Sequence, residues 1–422
     1  NSLETASEWS QIQIIDFITD NIPNDAKSIN TDMIVESLST RLYQFNPGLT
    51  MAAIRCTLKM CLIRNDIQWT KEILSKIIQS LVSLLNNCVE IQYIVLRSIS
   101  IILQQYKNIF SENVDYFFWK KDEPIYIKSE KVDIIWLLTN EQNAIAVLNE
   151  VTKYAMDSEV KLSRKSVQVI GQICITYESV SKDCIDSLIA LIQSRVAYII
   201  QECIIVSVNV LRRYSPKKKI SRLVSILCMN FNMAISNSRA KAAMAWILGE
   251  FSDIISTASE HIDALFLDNF LEESNDVQLA ILTAVVKLYL NNPESGRDSL
   301  KKVLTIATND IDNPDLKDHA LLYLCLLSEC SEQAKTIILN SKNSFPKKLN
   351  DLNVLDPNLD LALLPLIGSL AVMYKNLPST FVPHLKAKRM ANLESASSPA
   401  ITVDHISGEY SYSTRARSKS RT

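Results

Sequence analysis

The sequence predicts an all-α protein built as a solenoid of stacked helical pairs. The first observation is a recurring phrase, in which a polar or charged opening precedes a long run of Val, Ile, Leu and Ala. The openings fall 33 to 42 residues apart, near Glu90, Glu123, Ser158, Arg195, Asn237, Asn275 and Pro314. Two helices per phrase at this period are typical of HEAT or armadillo-like hairpin repeats. One hairpin cannot bury its own apolar face, so neighbours stack and leave a long surface for partners.

The second observation is composition. The chain has 422 residues, of which 47% are hydrophobic, yet only six are glycine. Glycine supplies the left-handed positions of β-hairpins and phosphate-binding loops, so such turns must be rare. Neither a G-x-G-x-x-G nor a G-x-x-x-x-G-K-[ST] motif occurs. The net charge of −2 gives no overall field that selects nucleic acid.

The elements follow this pattern from the start of the chain. Four amphipathic stretches come first, with Pro23 and Pro47 at their boundaries: SEWSQIQIIDFITDN, TDMIVESLSTRLYQF, LTMAAIRCTLKMCLI and TKEILSKIIQSLVSLL. The repeat bodies then read EIQYIVLRSISIILQ, EVKLSRKSVQVIGQICI, RVAYIIQECIIVSVNVL, SRAKAAMAWILGEF and DVQLAILTAVVKLYL. Shorter stretches such as SKDCIDSLIALIQ lie between them and predict the second helix of each hairpin.

The regular pattern fades after Asn340. Leu361–Tyr374 (LALLPLIGSLAVMY) is too short to span a bilayer, and we predict a buried helix there. Beyond it, the chain is rich in Ser and poor in large aliphatic residues, and it ends in a basic segment. Such a segment buries too little apolar area to offset its ordering entropy. We therefore predict an α-solenoid over residues 1–376 and a disordered Ser-rich, basic tail over residues 377–422.

The residues that usually carry chemistry are scattered. Nine cysteines occur singly, which argues against a disulfide framework or zinc site and favours a reducing compartment. The four histidines, His261, His319, His384 and His405, have no ligand spacing. We predict no catalytic residues, no metal site and no cofactor.

Six phrases resemble a known family. They are EIQYIVLRSISIILQ, DEPIYIKSEKVDI, RAKAAMAWILGEF, TAVVKLYL, NPDLKDHALLYLCLLS and IGSLAVMYKNLPSTFV. In order and spacing they resemble the trunk of the beta large chain of clathrin adaptor complexes one and two, over roughly residues 1–382. The opening phrase NSLETASEWSQIQIIDFITD is similar to a mid-trunk segment, which places the chain in the C-terminal part of the trunk.

The resemblance implies a scaffold role in vesicle-mediated transport, not enzymatic activity. Beta chains of this family assemble with a second large chain, a medium chain and a small chain. The C-terminal half of the trunk holds the medium chain, which reads sorting signals in cargo. The implied location is cytoplasmic, peripheral on clathrin-coated vesicles of the Golgi and endosomes or the plasma membrane, and no nucleic acid is involved.

Two features of the family have no counterpart here. The part of the trunk that contacts a small GTPase is not represented, and no clathrin-binding box follows Pro378. The segment Asp351–Asp356 (DLNVLD) comes close, but Asn353 stands where the box requires an apolar side chain. Clathrin binding through a hinge is therefore not evident.

The resemblance also implies an interface between Gln172 and Lys219. In the family this region covers the cargo pocket of the medium chain in the closed complex. Stacking should bring Tyr177 and Tyr214 to one edge, and an aromatic rim beside basic residues suits partner binding. We predict an interface of five residues: Tyr177, Tyr214, Lys217, Lys218 and Lys219. The alternative is that Tyr177 caps its own hairpin and the lysines are simply solvated.

Two other functions stay open from the sequence. One is a different transport solenoid, such as a coatomer large chain or a nuclear import receptor. The other is an enzyme whose active site is assembled across several helices, which no local motif supports.

Overall fold

The structure of the protein is a computed structural model. The structure describes residues 2–381 apart from these gaps: 23–30, 65, 107–113, 121, 215–217, 231, 233–235, 256, 265–268, 310, 312, 330 and 340–356.

The described chain is built of α-helices, joined by short turns and 3-10 segments, and no strand occurs among the described residues. The first half contains α1 (Ser2–Thr5), α2 (Glu8–Asn21), α3 (Thr31–Ser39), α4 (Pro47–Arg64), α5 (Ile67–Leu84), α6 (Val89–Gln105), α7 (Ile125–Leu138), α8 (Ala144–Tyr154), α9 (Val160–Thr176), α10 (Ser181–Gln193) and α11 (Ala197–Arg213). The second half contains α12 (Lys218–Met229), α13 (Ser238–Glu250), α14 (Ala258–Ile262), α15 (Asn275–Asn291), α16 (Pro293–Asn309), α17 (Pro314–Glu329), α18 (Ser331–Leu339), α19 (Pro357–Leu363), α20 (Leu370–Tyr374) and α21 (Pro378–Phe381).

The helices between α6 and α17 stack in two layers. The first layer is α6, α7, α9, α11, α13, α15 and α17, each packed on the next. In the second layer α8 packs on α10 and α10 on α12, and further along α14 packs on α16. Every predicted phrase opening lies within two residues of the start of a first-layer helix, as Asn275 does at the start of α15. The predicted α-solenoid of helical hairpins is confirmed.

The core lies between the two layers and is aliphatic. Val167, Ile204 and Leu282, each from a different first-layer helix, are fully buried. Burying a side chain of this size contributes about 1.5–3 kcal/mol. The apolar stripes of the repeat bodies therefore supply the main stabilisation of the stack.

Polar contacts between neighbouring first-layer helices recur at the period of the repeat. The Lys165 ammonium of α9 donates to Asp133 of α7 at 2.7 Å. Lys287 of α15 forms an ion pair with Glu250 of α13 at 2.5 Å. These pairs fix which turn of one helix faces which turn of the next, while the aliphatic core supplies the stability.

The segment Leu361–Tyr374 differs from its prediction. It is not one buried helix, because Pro365 lies in a 3-10 turn and Gly368 has a φ of 81°, a left-handed conformation that favours glycine. Helix α19 ends before this break and α20 begins after it. Leu370 and Tyr374 are mostly exposed. The prediction of a single buried helix is wrong, because the sequence signals that break a helix outweigh the apolar composition.

This C-terminal segment packs far back along the chain. Helices α19 and α20 contact α6, and the 3-10 turn between them contacts α4. The Gln104 amide of α6 faces the carboxylate of Asp360, which is buried. The segment therefore covers part of a layer formed more than two hundred residues earlier.

The chain divides into two compact units, Asn1–Lys375 and Asn376–Thr422. In the second unit, the structure describes only residues 376–381, which include the short helix α21. Of the predicted disordered tail, residues 377–381 are described and include α21. Residues 382–422, and the near-match to a clathrin box at Asp351–Asp356, lie outside the described residues. The division into a solenoid and a tail stays a prediction.

The cysteines lead to a first testable prediction. Cys88 and Cys325 are exposed, whereas Cys56, Cys61, Cys174, Cys184 and Cys203 are buried. Burial raises the pKa of the Cys61 thiol to about 12, so little of the reactive thiolate forms at neutral pH. With a thiol reagent at neutral pH, we expect fast labelling at Cys88 and Cys325 and protection of the five buried thiols until urea unfolds the chain. Mass spectrometry of the labelled peptides measures this, and fast labelling of Cys174 or Cys203 would contradict the packing described above.

Candidate partner interface

The two predicted tyrosines lie at the C-terminal ends of neighbouring helices. Tyr177 is the C-cap residue of α9 and Tyr214 is the C-cap residue of α11. Both side chains are half-buried. Because α9 and α11 pack side by side in the first layer, both tyrosines occupy the same edge of the stack, where stacking was expected to bring them.

Both tyrosine hydroxyls contact the preceding repeat. The Tyr177 hydroxyl donates to the carbonyl oxygen of Thr139 at 2.5 Å. The Tyr214 hydroxyl donates to the carbonyl oxygen of Cys174. Burial raises the pKa of the Tyr214 phenol to about 12. Each hydroxyl therefore joins two repeats, and only the exposed part of each ring faces outward.

The structure describes only part of the three predicted lysines. Lys217 lies outside the described residues, whereas Lys218 and Lys219 form the first turn of α12. Nothing is described of their side chains. The prediction that these lysines and the two tyrosines form one partner-binding rim stays a prediction.

A groove lined by both polar and apolar side chains lies on α7, α9 and α11 and reaches the start of α13. It consists of two cavities of about 440 and 330 Å³, which share Arg164, Gln168 and Gln172 in their walls. These three residues are spaced by four, so they lie on one face of α9. Sequence reasoning missed this groove because VKLSRKSVQVIGQICIT reads as a core helix. The signal was present, as a polar residue at every fourth position within an apolar run.

Two carboxylates in the groove are already bonded. Asp133 accepts from the Lys165 ammonium at 2.7 Å. Glu202 is buried and accepts from the Gln168 amide at 2.7 Å. These contacts hold α7, α9 and α11 in register along the groove.

Three cations of the groove have no such partner. No ion pair within 4.0 Å joins Lys161, Arg164 or Arg239 to any residue that the structure describes. The Nε atom of Arg164 is buried and has no hydrogen-bond partner among the described residues. With Lys165, the walls hold four cations against two carboxylates. The groove is locally basic on a chain whose net charge is −2.

A charged cluster adjoins one end of the groove. Arg97 of α6 pairs with Glu130 of α7 at 3.4 Å. Burial raises the pKa of the Glu130 carboxyl, although the charge of Arg97 opposes this. Burial also lowers the pKa of Lys375, which interacts with Glu130, Asp133 and Lys165. The C-terminal segment thus reaches the charges at one end of the groove.

Metal-binding clusters and membrane-spanning helices are both absent from the residues that the structure describes. No set of three or more His, Cys, Asp or Glu side chains there is arranged to hold a metal ion. None of the helices in that part of the chain is long and apolar enough to cross a bilayer.

Comparison with known proteins gives a family match. Residues 1–331 match the sequence model of the family described as "Adaptin N terminal region". The chain is 35% identical to the human "AP-1 complex subunit beta-1" over 94% of this chain and 42% of that protein. It is 34% identical to the "AP-1 complex subunit beta" of Dictyostelium discoideum over 91% of this chain and 40% of that protein. It is 34% identical to the "AP-2 complex subunit beta" of Schizosaccharomyces pombe, over 90% of this chain and 55% of that protein.

A solved structure shares the fold. The "Homology model of the full-length AP-3 complex in an intermediate open conformation" matches with a TM-score of 0.53 at 17% identity, over 77% of this chain and 62% of that one. At this identity the match supports the solenoid fold alone. The chain spans about two fifths of the length of its AP-1 relatives. These findings favour an adaptor beta chain over a coatomer chain or an import receptor. The family match is to the N-terminal region of adaptins, so the narrower placement in the C-terminal part of the trunk stays a prediction.

Proposed function

The chain belongs to the adaptin family, as a beta-type large chain, and from this premise we propose that it is a scaffold subunit of a heterotetrameric clathrin adaptor complex. It would hold the medium chain while cargo is sorted into vesicles. The observation that carries the proposal is similarity to beta subunits of AP-1 and AP-2 over nine tenths of the chain. Its partners would be a medium chain, a small chain and a second large chain.

The architecture suits such a role. A two-layer stack offers a long surface on which several subunits can bind side by side. Polar pairs between repeats, such as Lys287 with Glu250, hold neighbouring helices of that surface in register. We infer a non-enzymatic role and a peripheral location, on Golgi and endosomal or plasma-membrane coated vesicles, reached through the complex. Recruitment of clathrin would need a hinge that is not evident in this sequence.

Co-expression with its expected partners tests the proposal. The full chain carrying an affinity tag is expressed with the medium and small chains of the AP-1 complex, and in parallel with those of the AP-2 complex. We expect stoichiometric recovery of one pair of subunits. Recovery of coatomer subunits instead, with neither adaptor pair retained, would contradict the scaffold role.

We further propose that the rim of Tyr177, Tyr214 and Lys217–Lys219 contacts the medium chain in the closed complex. Support comes from the common edge on which both tyrosines lie and from the exposed part of each ring. Tyr is enriched at protein interfaces because its ring supplies contact area while its hydroxyl can hydrogen-bond. Here the hydroxyls bond the neighbouring repeat, so the rings would make the contact.

The double variant Tyr177→Ser with Lys217→Glu is expected to raise the binding of a tyrosine-signal cargo peptide by the complex without membrane. The changes remove ring contacts and reverse one charge, which should release the cargo pocket of the medium chain. Fluorescence anisotropy of the labelled peptide measures this. The control is Tyr177→Phe, which keeps the ring and removes the hydroxyl that donates to Thr139. Unchanged peptide affinity in an intact complex would exclude the rim from the closed state.

A further inference from the structure

The groove that is walled by Arg164, Gln168 and Gln172 has the chemistry of a binding site for an extended acidic peptide. We propose that it binds a peptide segment whose Asp, Glu or phosphorylated side chain pairs with Arg164 and Arg239. The inference does not rest on the proposed scaffold role, since it uses only the shape and charges of the groove.

The charges of the groove supply the first step. Lys161, Arg164 and Arg239 form no ion pair with described residues, whereas the two carboxylates of the groove are already bonded. A surplus of two positive charges therefore lines both cavities, on a chain that is slightly acidic as a whole. The ligand that this surplus favours is an anion.

The side chain of Arg164 supplies the second step. Its Nε atom is buried without a hydrogen-bond partner among the described residues. Buried polar groups are nearly always hydrogen-bonded, so an unpaired one requires an explanation. A guanidinium has a planar fork of donors that matches a carboxylate or phosphate in two parallel bonds. The terminal nitrogens of Arg164 make no described hydrogen bond, so they are the donors that a ligand oxygen in the groove would meet.

The amides and the length of the groove favour a peptide over a small anion. Gln172 and Asn209 line the walls, and no hydrogen bond of their side-chain amides is among those described for the structure. An amide both donates and accepts, which matches the N–H and C=O groups of a peptide backbone. Two cavities with a shared wall run across three helices, far longer than one phosphate needs. An extended chain would use the whole groove.

A pair of peptide libraries tests this with the full chain. Both are fluorescent, degenerate decapeptides, identical except that the two central positions are Glu in one library and Gln in the other. We expect the Glu library to bind the chain at least about tenfold more tightly, which corresponds to one charge-assisted contact. Equal binding of the two libraries would overturn the proposal.

Variants locate the effect. Arg164→Gln and Arg239→Gln should each remove most of the preference for Glu. Arg297→Gln should leave it unchanged, because Arg297 is exposed on α16, away from the groove. Circular dichroism verifies that each variant folds. If Arg164→Gln unfolds the chain, Arg239→Gln still tests the proposal, because Arg239 is exposed and its replacement should not disturb the fold. A preference for Glu that survives both groove variants would overturn the proposal.

Vesicles and inorganic phosphate separate the other sources of negative charge. Vesicles of phosphatidylcholine and phosphatidylserine in equal amounts should not displace the Glu library from the chain, and neither should millimolar phosphate. If the vesicles bind through Arg164 and Arg239 while the Glu library does not bind, the site is a lipid site and the peptide assignment is wrong.

Discussion

Replacing Glu123 with Gln is expected to lower the free energy of unfolding by about 3–5 kcal/mol. Glu123 pairs with the Lys131 ammonium at 2.5 Å, and the two side chains are 8% and 1% exposed. The neutral amide would leave the ammonium buried without its counter-charge. Its remaining described partner is the carbonyl of Phe118, at 3.3 Å. Chemical denaturation followed by circular dichroism measures the loss.

The matched control is an exposed pair on the same solenoid. Lys153 pairs with Glu150 at 2.6 Å, but its side chain is 69% exposed. Lys153→Gln should change the free energy of unfolding by less than about 1 kcal/mol, since water already screens this pair. Adding Lys131→Met to Glu123→Gln should recover most of the loss, because the uncompensated charge is then removed. Equal losses in the buried and exposed variants would mean that Lys131 reaches water.

The loss should also depend on pH. Burial already lowers the pKa of Lys131, and the pair with Glu123 opposes that effect. Without Glu123 the pKa falls further, so above this lowered value the unfolded chain binds more protons than the folded one. Stability then rises with pH until the usual lysine pKa is reached. The difference between Glu123→Gln and the parent should therefore shrink as the pH is raised from 7 towards about 10.

Replacing Gly249 with Ala is expected to destabilise the stack by about 1–3 kcal/mol. A Cβ atom at this position would lie 2.6 Å from the Cα atom of Ala284, in the next first-layer helix. Alanine raises helix propensity by up to about 1 kcal/mol over glycine, and this gain is smaller than the cost of the collision. The obstacle is backbone, so α13 and α15 must move apart. The midpoint of thermal or urea unfolding measures the change.

Gly171 provides the matched comparison. A Cβ atom there would lie 2.1 Å from the Cγ1 atom of Val206, and its nearest contacts are all to that side chain. Adding Val206→Ala to Gly171→Ala should therefore remove the collision. The free energy of unfolding should then differ from that of the parent only by the amount lost with the valine methyl groups. Ala284→Gly should rescue Gly249→Ala only in part, because the Cα atom stays in place. Full rescue in the second pair would show that α13 and α15 are less tightly packed than described.

Local sequence patterns predicted the repeats well. The predicted opening at Asn237 is the N-cap of α13. The Asn237 side chain accepts a hydrogen bond from the backbone N–H of Arg239. The aliphatic face of α13 then packs into the core, where Leu248 is fully buried. Cap and stripe are both encoded within a few residues, so one sequence suffices to read them.

The candidate sites depend on contacts between residues that are distant in the sequence. The sequence alone did not predict these contacts. Tyr177 was predicted to share one edge with Tyr214, as it does, but its bond to Thr139 joins residues 38 apart and leaves no local trace. Arg164, Gln168 and Gln172 have visible spacing, yet the same spacing also fits a solvated face. Only the neighbouring helices α7 and α11 turn that face into a groove.

The return of the C-terminal segment onto α4 and α6 has a consequence for synthesis on the ribosome. In an open stack of repeats, each helix pair can complete its contacts as soon as the next pair emerges. Here the surface of α6 that contacts α19 stays uncovered until α19 is synthesised, and α19 begins about 250 residues after α6 ends. At about 5–20 residues per second, that interval is on the order of 10–50 seconds. During that time the nascent chain exposes the part of α6 that α19 and α20 later cover, so a ribosome-bound chain truncated before Pro357 should bind chaperones more strongly than one extended past Lys375.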